Sequence, residues 1–267
     1  MTVDAAKEAA PMKDLHPYRI SDAARQAFHE DGVVCLRGLL EAAALEGLRS
    51  AIDRHLQPDG WYFQYIYMWQ KDSVLADVCF HSSLPQAASQ LLGANKLNLI
   101  HDQVFVKDRA SDERTDWHND GPYWPIKGPA LSIWLAVDEV NEDTGRLEFL
   151  RGSHLWNRWF STTGPISPGE DNPHFEAPFD FDTEGHDYET LAWNLAPGDA
   201  VVFHKLTVHG ANAYRREGFK RRAYAVRFAD NNATYTDEAG AAPHFCNPDL
   251  REGQRLDSDQ YPVVLNT

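Results

Sequence analysis

A chain of 267 residues with 43% apolar residues can bury the core of one large domain. Its 25 Lys and Arg against 40 Asp and Glu leave a net charge of −15, which argues against nucleic acid or anionic membranes as partners. Three widely spaced cysteines, Cys35, Cys79 and Cys246, fit neither a disulfide framework nor a thiolate zinc site.

Residues 1–17 are Ala-rich and charged and read as a frayed start, with no basic-then-apolar pattern of a signal peptide. No stretch approaches the roughly 20 apolar residues of a membrane span. A reducing cytoplasm is the expected location. Ser21 can cap a helix running through Ala23 and Phe28, and Gly32 ends it. Val33–Leu36 then reads as a short β-branched strand. From 41 to about 56, Leu45, Leu48, Ile52 and Leu56 recur on one helical face. Residues 60–72 are dense in aromatics, and 82–93 read as a helix stopped by Gly93.

After this the apolar period shortens. Strand-like runs occupy 96–107, 130–140, 146–152, 199–204 and 222–229. Helices first and strands afterwards predict a single α+β domain over 1–267 whose second part is a sandwich or closed barrel. Residues 161–192 interrupt the strands. Between 159 and 203 there is no Lys or Arg, while Glu170, Asp171, Glu176, Asp180, Asp182, Glu184, Asp187 and Glu189 are present. Such an insertion is either a solvated surface loop or a lid over a site.

Chemistry concentrates in "TDWHNDGPYW" (115–124), where His118 and Asp120 flank Asn119. At the end of a strand, residues i and i+2 point to one face. Two His and one carboxylate on one face form the facial triad of non-haem iron oxygenases. The second His must come from far downstream, and "PGDAVVFHKLTVHGANA" (197–213) offers His204 and His209. His209 is preferred because Gly210 follows it and lets backbone pass close to a metal. His204 then reads as a strand histidine beside the site. An iron site with a dicarboxylate cosubstrate also needs a cation, and the planar fork of Arg suits a carboxylate. Arg221, twelve residues after His209, is the first choice, with Arg222 and Arg227 as alternatives. Arg215 and Arg216 read as a solvated basic turn.

Together, His118-x-Asp120, "TGRLEFLRGSH" (144–154), "GDAVVFH" with the following "HG", and "RRA" resemble the phytanoyl-CoA dioxygenase family of Fe(II)/2-oxoglutarate-dependent oxygenases. "FHEDGVVCLRGLL" (28–40) is similar to that family's N-terminal segment, and the resemblance runs from about 20 to about 229. It implies a double-stranded β-helix (jelly roll) core flanked by N-terminal helices. It implies Fe(II) on His118, Asp120 and His209, with 2-oxoglutarate and O2 as cosubstrates. Arg221 would bind the far carboxylate of 2-oxoglutarate, with Gln103, Trp134 and Lys107 as further contacts. The implied reaction oxidises a substrate C–H bond, usually to an alcohol, while 2-oxoglutarate becomes succinate and CO2. One position departs from the pattern: Ala211 stands where relatives often carry Ser. Halogenating relatives replace the metal carboxylate with a small residue, so Asp120 implies oxygenation.

The substrate is less legible. Tyr123 and Trp124, next to the metal pair in sequence, are the first candidates to line its pocket, followed by Tyr65 and Trp61. Tyr62, Phe63, Tyr67 and Trp69 are further aromatics that either line it or pack in the core. His154 reads as structural. An acidic insertion disfavours a polyphosphate such as coenzyme A. The expected substrate is therefore small, neutral or cationic, and largely apolar, such as a natural-product intermediate or modified amino acid. The alternatives are a cupin-like dioxygenase or isomerase that does not use 2-oxoglutarate, and a non-catalytic jelly-roll binding module.

Overall fold

The computed structural model describes residues 18–57, 65–161, 175–237, 241 and 243–267. Four helices come early. Helix α1 (Asp22–Asp31) starts where Ser21 Oγ accepts from the Ala24 N–H, and ends at Gly32, left-handed at φ 79°. Strand β1 (Val33–Leu36) follows, then α2 (Ala42–His55), α3 (Ser73–His81) and α4 (Ser83–Leu92). Gly93, also left-handed, closes α4. Helix α3 went unread in the sequence; the Asp72 side chain caps it by accepting from the Val74 N–H.

The strands are β2 (Lys96–Lys107), β3 (Thr115–His118), β4 (Ile126–Lys127), β5 (Ala130–Ala136) and β6 (Leu147–Leu150). A short helix α5 (Phe181–Glu184) precedes β7 (Thr190–Ala192). Then come β8 (Ala200–His204), β9 (His209–Ala211), β10 (Arg221–Asp230), β11 (Thr234–Tyr235) and β12 (Val263–Asn266). The large sheet has the order β1-β8-β5-β10-β2-β12, and the small one β3-β9-β6-β7. Every pairing within the two is antiparallel, consistent with the expected jelly roll.

Two-residue alternation splits the large sheet into two faces. Leu131, Ile133 and Leu135 on β5, and Tyr224, Val226 and Phe228 on β10, join Leu48, Ile52, Leu84 and Leu91 of the helices in one core. The opposite face carries Trp134, Ala136, Val201, Phe203, Ala223 and Ala225, and packs on Phe149 of the small sheet. The rings of Phe149 and Phe203 lie 5.1 Å apart. The functional face is thus the one turned toward the small sheet.

The described part of the acidic insertion is held down. Phe181 stacks on Trp117 at 4.5 Å, Trp156 packs on Phe179 and Tyr188, and β7 is an edge strand of the small sheet. Arg158 pairs with Glu176 and Glu184, and Arg151 with Glu189. Three of the eight acids are therefore neutralised by arginines just outside the stretch, which weakens the field expected from the sequence. Glu170 and Asp171 lie outside the described residues.

Candidate active site

His118 ends β3, His209 begins β9, and the two are register partners. Their ring centroids are 4.3 Å apart. Asp120 reaches them in a way that differs from strand alternation. The strand stops at His118, and Asp120 sits in helical backbone (φ −74°, ψ −27°) at the start of a short turn over Gly121–Tyr123. Its Oδ1 lies 3.9 Å from Nε2 of His118 and 3.9 Å from Nε2 of His209. One ligand atom from each of the three lies within 4.8 Å of the others, as one small metal ion requires.

Both imidazoles are fixed by the backbone. His118 Nδ1 is 2.7 Å from the Asp116 carbonyl, and His209 Nδ1 is 3.0 Å from that of Thr207. With Nδ1–H donating to a carbonyl, Nε2 keeps its lone pair for a metal. Burial, then the neighbouring His118, lowers the His209 pKa to about 4, so the ring is in its neutral, metal-binding form at pH 7. Burial alone would raise the Asp120 pKa; His209, Arg227, His118 and the Ser132 hydroxyl outweigh it and hold the carboxyl below its usual value. Ser132 Oγ donates to Asp120 Oδ2 at 2.6 Å. A site of two imidazoles and one carboxylate fits Fe(II).

Gly210 has a role other than the one expected of it. A Cβ there would lie 2.9 Å from the Thr115 carbonyl oxygen and 3.2 Å from the Trp117 ring. It allows β3 to approach β9, which is what brings His118 to His209.

The large sheet supplies the cations. Across β2, β10 and β5, register partners share a face: Lys107 with Arg221, then Gln103 and Trp134 with Ala225, then His101 and Ser132 with Arg227. Arg221 is 3% exposed, its Nε donates to the Thr144 carbonyl at 3.2 Å, and its buried Nη1 has no partner among the described residues. Its guanidinium lies 5.3 Å from the Trp134 ring centroid. Burial lowers its pKa to about 10, which leaves it charged at pH 7. Burial, then Arg221 itself, lowers the Lys107 pKa to about 8. A buried arginine with an unpartnered N–H beside a second cation fits one carboxylate of a dicarboxylate. Gln103 and Trp134 share that face.

Alternation also rejects the competing residues. His204 falls on the other face of β8 from Phe203; its Nδ1 accepts from the Leu206 N–H and its ring lies 5.4 Å from His154. Arg222 points to the helix side, bound to Asp53 and Asp138. Arg215 and Arg216 are exposed, facing Asp112 and Glu139. His154 holds the chain by its Nε2 at 3.1 Å from the His29 carbonyl.

The aromatic candidates separate. Tyr123 stays at the metal cluster, edge-on to His118 at 6.0 Å. Trp124 is 2% exposed in a core with Ile100, Ile126 and Tyr261, its ring edge-on to His101 at 5.8 Å. Tyr65 is a correction: it is buried in the helix-side core, its hydroxyl accepting from the Gln57 N–H, because the chain there pairs alongside β2 through Ile66 and Gln103 and turns Tyr65 to the helix side. Trp69 packs there too, against Phe80. Tyr67 instead faces His101 and Phe245. Trp61, Tyr62 and Phe63 lie outside the described residues. Sequence reasoning missed Ser132, although alternation in "ALSIWLA" places it on the face of Trp134. The carbonyls of Asp116, Thr207 and Thr144 carry no sequence signal.

The profile of the family described as phytanoyl-CoA dioxygenase (PhyH) matches residues 28–223. The bovine peroxisomal phytanoyl-CoA dioxygenase is 24% identical over 251 residues, covering 82% of this chain and 71% of that protein. Across the curated relatives that match, the aligned part spans between 51% and 75% of their length. Among solved structures, the epimerase SnoN in complex with Fe3+, alpha ketoglutarate and nogalamycin RO superposes with a TM-score of 0.71 at 22% identity, over 91% of this chain and 98% of that one. EctD from S. alaskensis with 2-oxoglutarate and 5-hydroxyectoine gives 0.67 at 19% identity, over 88% and 85%. A profile match over most of the chain, on a jelly roll whose His118, Asp120 and His209 converge, makes this protein a member of the phytanoyl-CoA dioxygenase family of Fe(II)/2-oxoglutarate-dependent oxygenases.

Proposed function

We propose that this oxygenase oxidises, by hydroxylation, a small and largely apolar molecule such as a natural-product intermediate or a modified amino acid. The observation that carries the reading is the meeting of the two Nε2 atoms with the Asp120 carboxylate in the cleft between the two sheets, where the Tyr123, Phe149 and Phe203 rings lie against the imidazoles. In it, His118, Asp120 and His209 hold Fe(II), Arg221 holds the far carboxylate of 2-oxoglutarate, and Lys107, Gln103 and Trp134 surround that cosubstrate. Iron and 2-oxoglutarate together supply the oxidising power for a C–H bond. The chain's own residues orient both and exclude water. Ser132 fixes the carboxylate and the Asp116 and Thr207 carbonyls fix the imidazoles. Tyr123 flanks His118 on the substrate side. Asp120 occupies the position that a halogenating site would vacate, which supports oxygenation.

Small molecules in the SnoN and EctD complexes support a substrate of that size. The cleft lies in an acidic protein and has two buried arginines, of which the cosubstrate takes one, so a coenzyme A polyphosphate is a poor match. The test is succinate formation from 2-oxoglutarate with Fe(II) over a panel of small apolar acids, amino acids and their coenzyme A thioesters. Stimulation by free molecules supports the reading. Preference for an acyl-CoA over its free acid overturns the substrate class, and O2 uptake independent of 2-oxoglutarate overturns the cosubstrate.

A further inference from the structure

Arg227 is the second buried arginine of the cleft, and the roles above leave it unused. It is 6% exposed, and its Nε and Nη1 are enclosed with no hydrogen-bond partner among the described residues. Its charge acts on Asp120 and His209, yet no carboxylate among the described residues comes within ion-pair distance of it. Burying a guanidinium costs several kcal/mol when nothing answers it, so a position like this calls for an anion from outside. Asp120 is a poor permanent answer, because a metal ion would take that carboxylate.

Along β10 this cation and Arg221 lie six residues apart on one face, about 20 Å of extended strand between their Cα atoms, with Ala223 and Ala225 as the small side chains between them. Charge calls for a further anion. With Fe(II), the Asp120 carboxylate and a bound dicarboxylate counted, Arg221, Arg227 and Lys107 leave the cleft with positive charge in excess. The surroundings of Arg227 are aromatic: the Phe105 ring lies 5.8 Å from its guanidinium, and His101, its register partner, packs on Phe245 at 4.5 Å and on Trp124. A cation in apolar walls suits an amphipathic monoanion.

We propose that Arg227 is the substrate's anion subsite, receiving one carboxylate of a small, otherwise apolar acid or amino acid on the metal side of the cleft. The proposal rests on the iron and 2-oxoglutarate reading and sharpens it. It replaces the neutral or cationic substrate expected from the acidic insertion, whose charge is partly cancelled by Arg151 and Arg158.

The test is binding, without turnover. Wild-type, R227Q and R227K proteins are loaded anaerobically with Fe(II) and 2-oxoglutarate, and the visible charge-transfer band of that complex is followed. The probes are a panel of arylalkyl and cycloalkyl carboxylic acids, each paired with its primary amide. Acids should perturb the band about tenfold more tightly than their amides in the wild type, as a charge-assisted hydrogen bond requires. R227Q should abolish that preference and R227K retain part of it, while 2-oxoglutarate affinity stays within roughly threefold in both. Acids binding no better than amides, no acid binding at all, or an acid preference that survives in R227Q overturns the proposal. So does a loss of 2-oxoglutarate affinity in R227Q equal to that in R221Q, which would make Arg227 the cosubstrate clamp. If R227Q does not fold, the wild-type preference and R227K decide. Absence of the band in the wild type is a different failure and counts against the iron and cosubstrate reading itself.

Discussion

Ser132 Oγ donates to Asp120 Oδ2 at 2.6 Å, so a strand in the middle of the large sheet orients a carboxylate delivered by the end of the small one. The bond occupies one carboxylate oxygen and leaves Oδ1, the atom nearest both Nε2 atoms, for the metal. Removing it should loosen the ligand without removing it. Ser132→Ala is expected to weaken Fe(II) or Mn(II) binding by about 10- to 100-fold, the usual effect of losing such an outer partner. Calorimetric titration with Mn(II) reads this directly, and unchanged affinity would show that Asp120 is positioned by its turn alone.

Among the described residues Arg221 is held by one hydrogen bond, to the Thr144 carbonyl, which leaves its buried Nη1 for a ligand. Lys cannot reproduce that fork. Arg221→Lys should therefore raise the 2-oxoglutarate Kd by about 10- to 100-fold, corresponding to the loss of a hydrogen bond to a charged group. Mn(II) affinity should stay at the wild-type value, because Arg221 does not touch the triad. An equal fall in both would mean that the substitution has disturbed the fold and not the clamp.

Much of this site was legible because β-strand alternation is a strong constraint. Once β10 and β5 are recognised, Arg221 and Arg227 must share a face with Trp134 and Ser132, while Arg222 must point to the helices. Likewise His209 was separable from His204 by chain order and by the glycine after it. What stayed hidden depends on tertiary contact. Tyr65 and Trp61 looked alike in sequence, but the bridge of Ile66 to Gln103 on β2 turns Tyr65 into the helix-side core. The arginine pairing of Glu176, Glu184 and Glu189 could not be read from a stretch lacking basic residues, because its partners come from outside it. Helix α3 begins on an Asp72 cap after an aromatic run whose period gave no helical signal.

Gly210 tests the link between strand spacing and metal binding. A Cβ at this position meets the Thr115 carbonyl oxygen at 2.9 Å, and backbone cannot swing aside as a side chain can. Gly210→Ala should push β3 away from β9, costing about 1–3 kcal/mol as overpacking does. It should also weaken Mn(II) binding by moving His118 from His209. Thermal unfolding of the apo protein and Mn(II) titration measure the two effects. A loss of stability with full metal affinity would separate strand spacing from ligand geometry.

Asp102 gives a pH dependence that lies outside the metal site. It is fully buried on the helix side of β2, and its Oδ2 accepts from the Tyr224 hydroxyl at 2.5 Å and the Trp69 N–H at 2.9 Å. Its Oδ1 has no partner among the described residues. Burial, opposed in part by these hydrogen bonds, raises its pKa from 3.8 to about 6. A folded-state pKa above the unfolded value means that the folded protein binds the proton more tightly. The stabilisation is therefore complete below pH 3.8 and is lost as pH rises through about 6, amounting to about 3 kcal/mol once the carboxyl is ionised in both states. Asp102→Asn has no proton to lose. Its own cost, including a buried amide where Oδ1 stood, is the same at every pH. The stability difference between wild type and Asp102→Asn should accordingly move toward the variant by about 2–3 kcal/mol between pH 4 and pH 7. Urea unfolding of both proteins across that range measures it, and a pH-independent difference would mean that Asp102 titrates near its ordinary value in the folded protein.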